Sequence, residues 1–338
     1  MMLRGALIGL GNIAIRGHLP AFLKDEVLQS KMKIVAAMDI VASGENSVKE
    51  HLPEARFYDD LQSLLRNEQL DFVDICSPPH THADCIHACA SKGHHILCEK
   101  PLTESYTTST GTAGVVRSSN VVFVPCHQYK YSPLWKSIHE KIREGALGRV
   151  TFAQFNVFRL QADTGTKTWN PAWRTEQKHS GGGILVDTGA HYFYLAQYFF
   201  GMPAGVHAIL RTLKHKDYAV EDTAVVTLEY PEMLMEINLT WAAAQRANSV
   251  LIVGTEGMLS YNGSSLVLSD AHGSRELPMP NVSDKQQYIG WYASLFKEFL
   301  RRVETRDCSD DLLCEAVNVM KLLDLSYQSS QGHNVTPM

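Results

Sequence analysis

Asp187 and His191 stand four residues apart in GGGILVDTGAHYFYLAQYFFG (181–201), a glycine-led stretch that otherwise reads as an apolar helix. At that spacing two helical side chains share a face. An acid and an imidazole on a greasy helix are costly unless they are hydrogen-bonded or used. Used, the pair offers proton transfer: His191 as general base toward a hydroxyl, Asp187 orienting the ring or gripping substrate. Unused, it is a hydrogen-bonded core pair. Lys100 follows the apolar run HHILCEKP (94–101) and precedes Pro101. An ammonium at such a strand end can hydrogen-bond a substrate hydroxyl and favour the alkoxide developing on it. Three residues alone fit a surface Glu–Lys pair equally well.

Gly9-Leu10-Gly11-Asn12-Ile13-Ala14 follows the apolar run 3–10 and opens a helix-like segment. Glycines there let the backbone turn tightly and approach a pyrophosphate, which rests on the helix N-terminus. Alanine takes the third glycine position. Asp39 ends the next apolar run, KIVAAMD (33–39), where a carboxylate can accept both ribose hydroxyls of NAD and repel a 2′-phosphate. NAD is therefore the expected cofactor, with NADP left open.

Apolar strand-like runs at 3–10, 33–39, 72–79, 94–101 and 121–126 alternate with helical segments such as 82–93. FYDDLQSLLRN (57–67) has helical leucine spacing. Alternation of this kind predicts a doubly wound parallel α/β sheet, a Rossmann domain, with ligands at the strands' carboxyl edge. After residue 126 the texture changes. SPLWKSIHEKIREG (132–145) is an amphipathic helix, and runs at 150–158, 206–214, 222–230, 234–242 and 249–257 look like antiparallel strands. Two helices close the chain, near 288–304 and 309–329. The expectation is a Rossmann domain over 1–126 and an α+β substrate and oligomerisation domain over 127–338.

The chain's 338 residues suit two domains, and its net charge of −5 disfavours nucleic acid. Met1 to Leu10 reads as a buried strand, not a signal peptide, and no apolar run is long enough to span a membrane. Seven cysteines, an odd count, suggest reduced thiols in a cytosol. Cysteines and histidines crowd residues 76–98, but without a Cys-x-x-Cys pair, so no metal site is expected.

The ordered combination of fingerprint, Glu-Lys-Pro and glycine-rich Asp-x-x-x-His resembles the glucose–fructose oxidoreductase / inositol dehydrogenase / MocA-like family. The resemblance runs through 6–14, 77–103, 127–150, 170–195 and 315–337. It implies a second domain with a large open sheet, mostly antiparallel, through which members form dimers or tetramers. It implies that Lys100, Asp187 and His191 hold the catalytic positions. It implies cofactor contacts from Gly9, Gly11, Asn12, Ile13, Asp39, Ser77, Pro78, His82, Glu99, Lys100 and Gln128. It places Trp173 and Arg174 in the substrate pocket beside Lys100, Asp187 and His191, where Arg174 could hold a carboxylate or phosphate. The activity implied is hydride transfer between nicotinamide and a secondary alcohol of a sugar, cyclitol or sugar derivative. Reduction of a carbonyl, imine or unsaturated aromatic derivative, and a non-catalytic dinucleotide sensor, stay open. Many members carry an acid three residues after the histidine; here that residue is Tyr194.

Overall fold

The structure is a computed structural model that describes residues 2–42, 44–167, 169–282 and 284–332. Residues 333–337 of the family-like tail lie outside it. Six short strands build the first sheet: β1 (Leu3–Ile8), β2 (Met32–Met38), β3 (Arg56–Tyr58), β4 (Phe72–Ile75), β5 (His95–Cys98) and β6 (Phe123–Pro125). All pair in parallel, in the order β3-β2-β1-β4-β5-β6. That is the Rossmann order, and it reverses between β1 and β4. Both faces are covered, which explains why β4 is buried along its whole length.

The second sheet has eight strands: β7 (Val150–Phe158), β8 (Gly205–Arg211), β9 (Thr223–Tyr230), β10 (Met233–Thr240), β11 (Ala247–Gly254), β12 (Gly257–Tyr261), β13 (Ser265–Asp270) and β14 (Gly273–Pro278). Their order is β14-β13-β12-β11-β7-β10-β9-β8, antiparallel except where β10 runs parallel to β7. Burial alternates along β9 and β10, so one face packs on the core and the other is open.

The segment 57–67 is not one helix. Its first residues belong to β3, and the helix Leu61–Asn67 starts only after Asp60, whose carboxylate accepts the Ser63 N–H at 2.8 Å. A helix over Tyr106–Ser119 is rich in Thr, Ser and Gly, residues of poor helix propensity, so the sequence gives it little signal. Burial against its neighbours overrides propensity there. The helix Tyr288–Thr305 packs on the first sheet, not the second: Phe296 stacks on Phe22 at 4.4 Å and Phe299 meets Phe72 at 5.7 Å. Helix Asp311–Gly332 bridges the two sheets, with Ser329 and Ser330 accepting the N–H groups of Ala208 and Leu210.

Candidate active site

The carboxyl edges of β1 and β4 open onto a cavity of about 500 Å³, continuous with a larger cleft of about 1110 Å³. Gly9 turns the chain off β1 with φ +87° and donates to Met38 O at 2.8 Å. A Cβ there would sit 2.6 Å from the backbone nitrogen of Ser77, so only glycine fits. At Gly11 a Cβ would meet nothing within 4 Å, which leaves that backbone open to a ligand. Asp39 accepts from Leu10 N at 2.7 Å and Val41 N at 2.9 Å, tying the end of β2 to the glycine turn. Ser77 and Pro78 form the opposite wall, and Asn12 holds the arching segment 161–167 through Thr164 O.

Beneath this wall a buried ion triad joins the fingerprint helix to Glu99. His18 binds both oxygens of Asp74 through Nδ1, at 3.0 and 2.9 Å, and Glu99 Oε1 through Nε2 at 2.9 Å. Burial alone would lower its pKa, but the two carboxylates overcome that and raise it to about 9. Glu99 is held below its usual range by His18 despite its burial, and it also accepts from Tyr292 and from Lys100 N. Cys76 and Cys126 bring ligand-type atoms to the same place. An imidazolium whose nitrogens both donate has no lone pair for a metal, so the cluster reads as an ion triad. The sequence reading missed His18, a lone histidine in an apolar helix.

His82, expected at the cofactor, is instead fully buried, with its ring nitrogens against Ser77 O at 2.7 Å and Pro101 O at 3.0 Å. It braces the Ser77 and Pro101 loops from behind.

Lys100, Asp187 and His191 do converge, on the floor of the larger cleft. Lys100 Nζ donates to the backbone oxygen of Asp187 at 2.5 Å. The helix carrying Asp187 and His191 begins with a π turn, Leu185–Gly189, as does the fingerprint helix at Ala14–His18. Such bulges recur at functional sites. Buried Glu221 fixes the glycine-led turn by accepting from Gly183 N, Leu185 N and Tyr327 OH. Asp187 does not orient His191. Its carboxylate pairs with Arg174 Nε at 3.1 Å, while His191 Nδ1 bonds Tyr194 OH at 2.9 Å. The Arg174 charge is thereby paired with Asp187, and its guanidinium lies 4.2 Å over the Trp173 ring.

Tyr194 also accepts from Tyr129 N at 3.1 Å and stacks on His127, itself held by Glu315. Tyr129 stacks flat on the His191 ring at 4.2 Å. Burial pushes the His191 pKa well down, and Lys100 and His127 push the same way, so the ring is neutral at pH 7.

A dinucleotide fits these residues. The glycine turn leaves an open cradle, Asp39 keeps unused lone pairs, and the buried Oε1 of Gln128, on the cleft wall, has no hydrogen-bond partner among the described residues. An orphaned buried acceptor of that kind suits an amide donor. Ile13 and Gln128 both line the larger cleft together with Lys100.

Residues 3–126 match the family described as "Oxidoreductase family, NAD-binding Rossmann fold", and residues 135–260 match the GFO/IDH/MocA C-terminal domain. Levoglucosan dehydrogenase of Pseudarthrobacter phenanthrenivorans is 31% identical over 45% of this chain, a stretch spanning only 39% of that relative. The D-xylose 1-dehydrogenase (NADP(+)) 2 of Haloferax volcanii is 25% identical over 96% of both chains. A levoglucosan dehydrogenase structure in complex with NADH and levoglucosan superposes with a TM-score of 0.83, covers 98% of each chain at 20% identity, and so shares the fold. With both halves matched in order around one cleft, the chain belongs to the GFO/IDH/MocA family of oxidoreductases.

Proposed function

We propose that this protein is an NAD(P)-dependent dehydrogenase acting on a secondary alcohol of a sugar, cyclitol or sugar derivative. The observation that carries the reading is the meeting of Lys100, Asp187 and His191 in a cleft that begins at the glycine turn. Sensing needs a dinucleotide cradle but no proton acceptor. The named activities of the xylose and levoglucosan relatives support the substrate class.

A nicotinamide bound along Ile13, Ser77 and Gln128 would supply the hydride acceptor. Lys100, fixed by the Asp187 carbonyl, presents its ammonium to the reacting oxygen and favours negative charge on it. His191 exchanges the hydroxyl proton at Nε2, the ring nitrogen left without a partner among the described residues. Asp187 and Arg174 fix each other and the loop that carries Trp173. Glu99 sets the backbone at Lys100.

NAD is the preferred cofactor in this reading, because a 2′-phosphate at Asp39 would meet a carboxylate; NADP use by the Haloferax relative makes this a point to measure. The chain divides at 126/127, with the helix Tyr288–Thr305 returning to the first domain. Ile209, Val225 and Leu234 are exposed on the open sheet face, and this apolar surface supports a homo-oligomer through it. Light scattering would count the copies, and a monomer at all concentrations would remove that part. Seven unpaired thiols suit a reducing cytosol.

The test is NADH and NADPH binding by calorimetry, followed by single-turnover oxidation of a polyol and sugar panel. Cofactor binding with no turnover of any alcohol would favour the sensor. No dinucleotide binding would end the reading.

A further inference from the structure

Arg159 stands one residue past β7 and is only 8% exposed. Its backbone is pinned, donating to Thr240 O and accepting from Ala243 N. Its Nη1 donates to two carbonyls, Phe158 O at 2.8 Å and Ala247 O at 3.1 Å. Nothing among the described residues accepts from its Nε or Nη2, and no described carboxylate lies within ion-pairing distance. Two other basic residues of the cleft are treated differently: Arg174 has Asp187 and Lys285 has Asp163. A guanidinium this buried without a counter-charge is costly, and the cost is relieved when an anion arrives.

Arg159 faces the reaction site. It lines the same cleft as Lys100, His191, Tyr129, Tyr288 and Trp241. Burial pushes the phenols of Tyr129 and Tyr288 up, and the Arg159 charge pulls against that at both. Arg246, exposed at the rim of this cleft, also lacks an ion pair among the described residues. Seven lysines and arginines line the cleft against three carboxylates, an excess of four positive charges in a chain of net charge −5. Arg159 and Arg246 supply two of those positive charges.

We propose that Arg159, with Arg246 at the rim, is an anion subsite of the substrate cleft, so that the preferred substrate carries a carboxylate or phosphate besides the hydroxyl that reacts. This rests on the dehydrogenase reading above and narrows its substrate class to sugar acids or sugar phosphates. A planar guanidinium fork offers parallel N–H bonds to either group.

The test uses the full chain saturated with NADH and three probes: D-glucose, D-glucuronate and D-glucose 6-phosphate. Calorimetry should find at least one anionic probe bound roughly tenfold or more tightly than D-glucose, the scale of one charge-assisted hydrogen bond. Which of the two wins separates carboxylate from phosphate. The advantage should shrink about tenfold in Arg159→Gln and be kept in large part in Arg159→Lys. Should Arg159→Gln not fold, Arg246→Ala on the exposed rim should still weaken the anion several-fold, more so at low salt. Equal affinity for all three probes, no measurable anion binding, or an anion preference untouched in the Arg159 and Arg246 variants would overturn the proposal. Failure of NADH itself to bind would instead strike the dehydrogenase reading.

Discussion

Tyr194→Phe tests how His191, the proposed proton acceptor, is set. Tyr194 is fully buried, and its hydroxyl has two hydrogen-bond partners among the described residues, Tyr129 N–H and His191 Nδ1. The amide can only donate, so the phenolic proton has a single acceptor among the described residues, Nδ1. The neutral ring then carries its own proton on Nε2, facing the cleft. To take a hydroxyl proton at Nε2, the ring must first hold its proton on Nδ1. That strands the phenolic hydrogen in the interior, at about 1–3 kcal/mol for an unmet buried donor. At 1.4 kcal/mol per tenfold, roughly 5- to 150-fold of the base-competent form is lost. A carboxylate at 194 would do the opposite, accepting from Nδ1–H and leaving Nε2 bare.

Removing the hydroxyl strips both the Tyr129 amide and Nδ1 of their partner, so unfolding should become easier by about 2 kcal/mol or more. Yet neither tautomer is then favoured from position 194. The turnover number for alcohol oxidation should fall less than tenfold, or rise, at saturating cofactor. If Tyr194 instead accepts from Nδ1–H, its loss should cost about 10- to 100-fold, as for partners that orient other functional histidines. Long-range ¹H–¹⁵N NMR on histidine-labelled protein at pH 7.5 reads the tautomer directly. A ring protonated on Nδ1, together with a large loss of turnover in Tyr194→Phe, would refute the reasoning.

Lys100→Met and His191→Ala should each lower turnover about a hundredfold or more while NADH still binds the His191 variant; near-normal turnover at saturating cofactor would remove the role. Asp39→Ala should weaken NAD roughly tenfold and NADP less, by competition calorimetry, whereas equal losses would mean that Asp39 does not read the ribose. His18 has a folded pKa of about 9 against 6.5 unfolded, so its stabilisation is complete below pH 6.5 and is lost as pH rises toward 9. The span corresponds to about 3 kcal/mol in unfolding free energy, and in His18→Gln the slope between pH 6.5 and 9 should flatten; an unchanged slope would mean that the ring is not cationic in the fold.

What the sequence made legible follows from where each signal comes from. The glycine turn, Asp39 and the strand–helix alternation are local and point to a doubly wound parallel sheet, whereas β3, hidden beside a helical leucine pattern, and the strand order show only in the fold. Lys100 could be placed at a sheet edge because Pro101 stops its strand. The convergence of Lys100 on Asp187, across 87 residues, could be anticipated only through a family resemblance. Helical spacing put Asp187 and His191 on one face, but it could not say what else reaches that face. Arg174 arrives from a loop and takes Asp187, and Tyr194, one turn on, takes His191.

Tyr194 was visible in the sequence as a substitution, and its consequence was not, because a phenol can donate or accept where a carboxylate only accepts. The deciding group is the amide of Tyr129, 65 residues away in the chain, which fills one of the phenol's acceptor sites. Arg159 was illegible for the opposite reason: its residue type gives no signal until the cleft is seen to hold no carboxylate for it. In both cases the chemistry lies in the partner count of a buried polar group, a property of packing. Oxidoreductase chemistry could thus be read from motifs, whereas proton placement and substrate charge are set by Tyr129, Tyr194 and Arg159, which no motif joins.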